Sequence, residues 1–245
     1  ARQGLPAGQA QAEAETKAQS QLEHPLLKEI PAMTISLEDI PADSRITSLE
    51  RLDALYGEPS KRAMIKEIDH ISAEYQVFVE KSPFVILASS GPGGLDCSPR
   101  GDPAGFVRVL DEKTVLLPDR LGNNRTDSLS NIITDPRVSL LFLIPGVGET
   151  LRINGHAEIF VDANLCAEFI VNGKTPRSVL AVHVERVYFQ CPKALIRSKL
   201  WDLETQVARA ELPSSGDIYK AITDGEFGGA EYDRAYPEHI KETIY

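Results

Sequence analysis

Four short stretches of this sequence concentrate residue types that are costly unless used. The first is Cys97-Ser98-Pro99-Arg100-Gly101-Asp102-Pro103-Ala104-Gly105-Phe106. A segment punctuated by Gly and Pro ahead of a strand can expose several backbone N–H groups, and Arg100 beside them would complete an anion site. The same residues also make an ordinary surface loop with a solvated Arg–Asp pair. The second runs from Pro118 to Ser128 and holds Asp119, Asn123, Asn124 and Arg125 just before a short helix. A helix N-terminus attracts phosphate through unpaired N–H groups and its dipole, and Arg125 is placed to fork onto phosphate oxygens. The competing account is a helix cap, from Thr126 or Asn124, with polar decoration. The third is Glu149-Thr150-Leu151-Arg152-Ile153-Asn154-Gly155, in which Thr150, Arg152 and Asn154 share one strand face. That face lines a polar cleft or is the wet side of an edge strand. The fourth is Lys193 to Trp201, where Arg197 and Trp201 stand four apart, on one helix face. A ring and a cation together suit an aromatic anion; alternatively, the only Trp packs a helix end onto the body.

These stretches need elements to position them. Thr47-Ser48-Leu49-Glu50 has the spacing of a capping box, Leu49, Leu52 and Leu55 follow at helical spacing, and Gly57 ends the helix. Met64, Ile68, Ile71, Tyr75, Phe78 and Val79 predict a second helix from about Ser60 that lays one stripe on the body. The period then changes. Strands are expected over 83–88, 106–110, 114–117, 137–144, 149–161 (bent at Gly155) and 177–190, with Gly91-Pro92-Gly93-Gly94 as a hairpin tip. Short helices are expected over 126–134, with Leu129, Ile132 and Ile133 on one side, and from Asp162 through Val171. Another starts at Pro192 and runs to about Leu200. Six or so strands interrupted by short helices predict a mainly β chain: a closed antiparallel barrel with helices outside. A doubly wound sheet would need strands alternating with longer helices.

Composition narrows the function. The 245 residues carry 26 basic and 36 acidic side chains, a net charge of −10, which argues against a dedicated nucleic-acid binder. The acid is uneven. Residues 202–245 hold 4 basic and 10 acidic groups, whereas 46–201 hold 18 and 19. The division expected is an arm over 1–45, a domain over 46–201 and an acidic extension over 202–245. Three scattered cysteines, Cys97, Cys166 and Cys191, fit a reducing compartment, with packed thiols at 97 and 191. No run approaches the ~20 apolar residues of a membrane span, so the expectation is a soluble, cytoplasmic protein with no membrane or nucleic-acid partner.

The four stretches occur together as SPFVILASSGPGGLDCSPRGDPAGFVRVLD, LPDRLGNNRTDSL, FLIPGVGETLRINGHAEI and FQCPKALIRSKLW. In combined order and spacing they resemble the pyridoxamine 5′-phosphate oxidase-like, FMN-dependent split-barrel family, in its bacterial branch of uncharacterised FMN-binding proteins. The resemblance runs from about Ile46 to Trp201. It implies a six-stranded antiparallel split β-barrel that forms a homodimer with two FMN sites at the interface. Residue by residue, it implies flavin contacts from Ser98, Arg100 and Gly101, and backbone contacts from Pro118 and Asp119. Phosphate contacts fall to Asn124 and Arg125, where the family has an Arg-Lys pair. Thr150 stands where vitamin-processing members have a flavin-contacting Gln, and Arg197 and Trp201 lie where a helix reaches the other subunit's FMN. The leading Arg and the Lys of the family's RxVLLK strand align with Pro103 and Arg108 here. The C-terminal substrate pattern of the vitamin B6 enzyme is absent, which counts against pyridoxamine phosphate as substrate.

The expected activity is therefore FMN-mediated hydride or electron transfer on an unnamed small molecule, with NAD(P)H as a candidate donor. A flavin or haem carrier or sensor on the same barrel, or a deazaflavin in place of FMN, are the alternatives. No acid, base or metal site is assigned. His183 and Glu185 form an HxE without the PCxxC that a zinc deaminase requires, and His24, His70, His156, His183 and His239 are scattered along the chain.

Overall fold

The computed structural model describes residues 35–245; residues 1–34, most of the expected arm, lie outside that range. Residues 35–48 make two 3-10 turns, Leu37–Asp39 and Ala42–Ser44, with every residue exposed. The first helix, α1 (Leu49–Tyr56), is capped by Ser48, not Thr47. The Ser48 hydroxyl accepts from the Arg51 N–H at 3.3 Å. Gly57 ends the helix at φ 66, a conformation open to glycine at little cost.

The long helix expected after Ser60 is two helices. The first, α2 (Lys61–Met64), stops within a turn. Ile68 then leaves helical geometry and exchanges backbone hydrogen bonds with Val187 at 3.0 and 2.8 Å. Ser72 caps a new helix, α3 (Ala73–Lys81), by accepting from Tyr75 N–H. A long-range backbone pair here overrides a local period that looked continuous. The apolar stripe still serves the body. Ile71 and Val79 are buried, and Ile68, Tyr75 and Phe78 pack on the same core, but Met64 is exposed.

Seven strands follow: β1 (Phe84–Gly91), β2 (Gly94–Gly101), β3 (Arg108–Asp111), β4 (Thr114–Asp119), β5 (Arg137–Leu143), β6 (Thr150–Phe160) and β7 (Ser178–Gln190). They form one antiparallel sheet in the order β2-β1-β5-β6-β7-β4-β3. The mainly β architecture with peripheral helices is the one expected. The strand beyond the expected six is β2, the Gly/Pro-punctuated stretch, paired with β1 across the two-residue tip Pro92-Gly93. Its Pro99 is tolerated because β2 is an edge strand with β1 as its one neighbour.

Side chains tie β2, at one end of this order, to β4, next to the other end. Arg100 on β2 forms an ion pair with Asp119 on β4, and Asp102 just beyond β2 pairs with Arg120 just beyond β4 at 2.6 Å. The sheet is thus curled, and the line where no backbone ladder runs is laced by two ion pairs. Alternate residues of the strands fill the interior: Val85 and Leu87, Val115 and Leu117, Leu140 and Phe142, Leu151 and Ile153, Leu180 and Val182. Strand β4 and the first five residues of β7 are buried on both faces, because Cys166 and Phe169 cover Leu116, Val179 and Ala181 from outside. That cover begins with α5 (Ala163–Ala167), whose N-cap Asp162 accepts from Leu165 N–H; the helix stops well short of Val171. The bend expected at Gly155 is a register shift between β6 and β7. Asn154 faces Arg186 and Gly155 faces Val184, leaving Glu185 as the extra residue.

Helix α4 (Asp127–Thr134) lies against β1, with Ile132 and Asn131 buried. Asn131 Nδ2 donates to Ser89 Oγ at 3.2 Å and Gly94 O at 3.3 Å. Ile133 does not share the buried side; it is 78% exposed. Helix α6 (Lys193–Ser198) ends at Lys199, which turns left-handed at φ 51. Trp201 is therefore not on the helix of Arg197, contrary to their four-residue spacing. Helices α7 (Ser215–Ile222) and α8 (Ala230–Thr243) close the chain, joined by edge-to-face rings of Tyr219, Phe227 and Tyr232. Cys97 and Cys191 are exposed rather than packed, and Cys166 is buried. Among the described residues no helix is long and apolar enough to cross a membrane.

Candidate functional site

The ends of β2 and β4, the loop 120–126, the first turns of α4 and the start of β7 enclose a cavity of about 1050 Å³. Ser98, Arg100, Gly101, Pro118, Asp119, Asn124 and Arg125 all line it. Thr150, Arg197 and Trp201 do not. Thr150 is buried at the start of β6, its hydroxyl 3.4 Å from Gln190 Oε1. Arg197 is exposed on α6, and the Trp201 indole donates to Val147 O at 2.8 Å.

Charge in the cavity is positive but mostly tied down. Four arginines line it, Arg100, Arg120, Arg125 and Arg177, against two aspartates, Asp102 and Asp119. Arg100 pairs with Asp119, and Arg120 with Asp102, whose side chain is fully buried. Arg125 reaches back to Asp127 at 2.6 Å, which holds its guanidinium more firmly protonated. Arg177 donates to Asn124 Oδ1 at 2.8 Å and has no carboxylate partner among the described residues. Two further observations mark a place for a ligand. Arg100 Nε is buried with no hydrogen-bond partner among the described residues, an expensive state for a charged donor. At the rim, Thr126 stands at the N-cap of α4 without a side-chain capping bond, so the first N–H groups of that helix are available to an anion. Asn124 turns left-handed there, at φ 58.

Sequence reasoning gave no role to Arg177, Arg120 or Tyr245. Arg177 is expected only as the first residue of the strand over 177–190; the structure starts that strand at Ser178. Tyr245 lies far from the motifs in sequence, and nothing local could have drawn it here. Its hydroxyl donates to Asp102 Oδ1 at 2.8 Å, and its ring faces the Arg120 guanidinium at 5.9 Å. The bond to Asp102 pushes the phenol above its ordinary value of 10.0, with burial adding to the shift. A raised folded-state value means the contact is intact below pH 10 and is lost as the pH rises through the folded value. In an alkaline titration, the Tyr245 phenolate should therefore appear later than free tyrosine. The difference spectrum of wild type minus Tyr245→Phe isolates it, and an ordinary midpoint would mean that Tyr245 is not held by Asp102.

Two of the histidines expected to be scattered meet across β6 and β7. His156 and His183 stack with centroids 5.0 Å apart, and His183 Nε2 lies 2.8 Å from Glu158. Glu185 of the HxE pairs with His156, at 3.4 Å. Among the described residues no group of three or more His, Cys, Asp or Glu is arranged to hold a metal ion.

Comparison with known proteins adds the following. No curated protein matches the chain. Solved structures that match part of the chain include HupZ from Group A Streptococcus, at 20% identity over 48% of this chain and 91% of that one, TM-score 0.39. General Stress Protein 26 from Bacillus anthracis matches at 12% over 46% and 88%, TM-score 0.37. A related protein of the pyridoxinephosphate oxidase family from Clostridium acetobutylicum matches at 17% over 48% and 86%, TM-score 0.37. A model of the family described as Pyridoxamine 5'-phosphate oxidase matches residues 71–191, a span that takes in every strand from β1 to β7 and most of the cavity wall. That match takes in the whole curled sheet, so residues 71–191 form a domain of the pyridoxamine 5′-phosphate oxidase-like family.

Proposed function

We propose that the cavity binds FMN and that the protein is an FMN-dependent oxidoreductase acting on a small molecule. The observation that carries this reading is the buried, partnerless Arg100 Nε in a cavity with a surplus of arginines. About 1050 Å³ is at the upper end of the space that ligand pockets provide, roughly 300–1,000 Å³. Asn124, Arg125 and the uncapped start of α4 would hold the phosphate. The backbone of Ser98 to Gly101 and of Pro118-Asp119 would border the ring, with Arg100 supplying a fixed donor. When bound, the flavin supplies the redox chemistry; the chain contributes binding, orientation and a positive local field.

The cavity's own groups favour this over haem. Among the described residues no His, Cys or Met lines it, and the one there of a type that ligates haem iron, Tyr245, is already bonded to Asp102. Both lining aspartates are engaged by arginines, so neither is a free base. A flavin reaction limited to hydride or electron transfer needs none.

Family members often dimerise, and we assign Arg197 and Trp201 to the partner's cavity, since they lie outside the cavity of their own protomer; Thr150, buried against Gln190, stays within its own protomer. Purified protein should take up FMN with a flavin spectrum, which NADH or NADPH, titrated separately, should bleach. A colourless protein that takes up no FMN refutes the reading. Uptake without bleaching by either donor turns it into a carrier. Arg125→Ala should weaken FMN by about 1.5–3 kcal/mol per lost charged hydrogen bond. Unchanged affinity in a fluorescence titration would remove Arg125 from the phosphate site.

A further inference from the structure

Helices α7 and α8 form a unit of their own. Asp233 on α8 accepts from Ser214 Oγ at 2.5 Å and from the Gly216 N–H at 2.8 Å, and the Gly229 N–H donates to Gly216 O at 2.7 Å. A Cβ on Gly216 would lie 2.3 Å from Gly229 O, so the backbones meet as closely as glycine permits. The rings of Tyr219, Phe227, Tyr232 and Tyr236 pack together beside them. The connector that carries this unit, residues 202–213, is exposed at every position, Leu203 and Val207 included. Burial of the connector therefore does not fix the unit on the barrel.

What meets the barrel is the far end of α8. Ile244 and Tyr245 line the main cavity together with the motif residues. The Tyr245 hydroxyl donates to the buried Asp102, its ring faces Arg120, and its main-chain oxygen accepts from Lys174 Nζ at 2.6 Å. Asp102 follows Gly101 and Arg120 follows Asp119, so Tyr245 covers the part of the cavity walled by the ends of β2 and β4. Tyr245 also lines a smaller space of about 370 Å³, which makes its side chain a shared wall. A unit on an exposed connector, held over a cavity by one phenol–carboxylate bond and one ring–guanidinium contact, can lift without disturbing the sheet.

We propose that residues 244–245 are a lid on the main cavity, latched by Tyr245 on Asp102, and that the ligand enters and leaves only while the latch is open. The lid rests on the flavin reading for the identity of the ligand, while the latch stands on the Tyr245–Asp102 contact and the cavity lining. Its signature is kinetic. With the same latch in the empty and the loaded protein, weakening it raises the open fraction of both and speeds entry and exit alike. A side chain that merely touches the ligand alters exit.

The test is stopped-flow fluorescence of FMN binding to the full chain, wild type against Tyr245→Phe, which keeps the ring and removes the bond. Association and dissociation rates should both rise by about tenfold, the loss of one hydrogen bond to a carboxylate, while the dissociation constant changes by less than about twofold. Unchanged rates, or a change in one of the two alone, overturn the lid. Hydrogen exchange of the protein without FMN gives a second readout. Residues 240–245 and the cavity wall at 118–121 should exchange faster in Tyr245→Phe, with α7 exchanging as in wild type. If the protein takes up no FMN, the flavin reading falls and exchange alone decides the lid. Faster exchange confined to those segments upholds it; equal exchange, or faster exchange throughout the chain, overturns it.

Discussion

Arg100→Ala should raise the dissociation constant for FMN by about 100-fold or more, roughly 2.7 kcal/mol. The size of the effect follows from what the side chain does twice. Its Nε is buried without a partner, so a ligand acceptor there relieves an existing cost as well as adding a contact. Its Nη1 holds Asp119, and each of the two side chains is 18% exposed. Without Arg100, Asp119 would leave an unpaired carboxylate in a cavity meant for an anionic ligand. The same substitution should lower stability, because removing one partner of a largely buried pair strands the other charge. The two consequences can be told apart. Arg100→Ala/Asp119→Ala should regain much of the stability in a denaturant titration but not the FMN affinity. If the double variant binds FMN like wild type, Arg100 contributes structure alone.

Gly155→Ala should destabilise the fold by about 3 kcal/mol or more, beyond the common range for an overpacked core. A Cβ at this position would lie 1.9 Å from His183 O and 2.9 Å from His183 C. Those are backbone atoms of the neighbouring strand, so no flexible side chain can move aside. Either the register shift between β6 and β7 must rearrange or the strands must part. These are the two longest strands, and the pair carries much of the core, including Leu151, Ile153, Leu180 and Val182. At about 2–4 °C per kcal/mol for a domain of this size, the melting temperature should fall by roughly 10 °C. A melting curve like that of wild type would mean the two strands have slack that their packing does not show.

Much of this fold was legible because it depends on local rules. Gly57 as a helix stop, the Gly91–Gly94 hairpin tip, the turn before Thr114 and the Asp162 cap are each dictated by residues within a few positions. What the sequence obscured was set from far away. Strand β2 contains Gly, Pro and Asp, residues poor in strand propensity, and it forms because β1 pairs with it along its length. The helix beyond Ser60 breaks because Ile68 finds Val187. The site divides in the same way. The motif residues at 98–101, 118–119 and 124–125 line one cavity, while Thr150, Arg197 and Trp201 lie elsewhere. Arg177 and Tyr245 arrive through tertiary structure, and no spacing rule links them to the loop they join.

The chain has a single tryptophan, and its indole is fixed to Val147 O just beyond α6. Trp201 is thus an unlabelled optical gauge. It does not line the cavity of its own protomer, so a ligand there has no direct contact with the ring. If it reaches a second copy's cavity, contact quenching of its emission by flavin should deepen as protein concentration rises. One fluorescence channel would then report loading and self-association together.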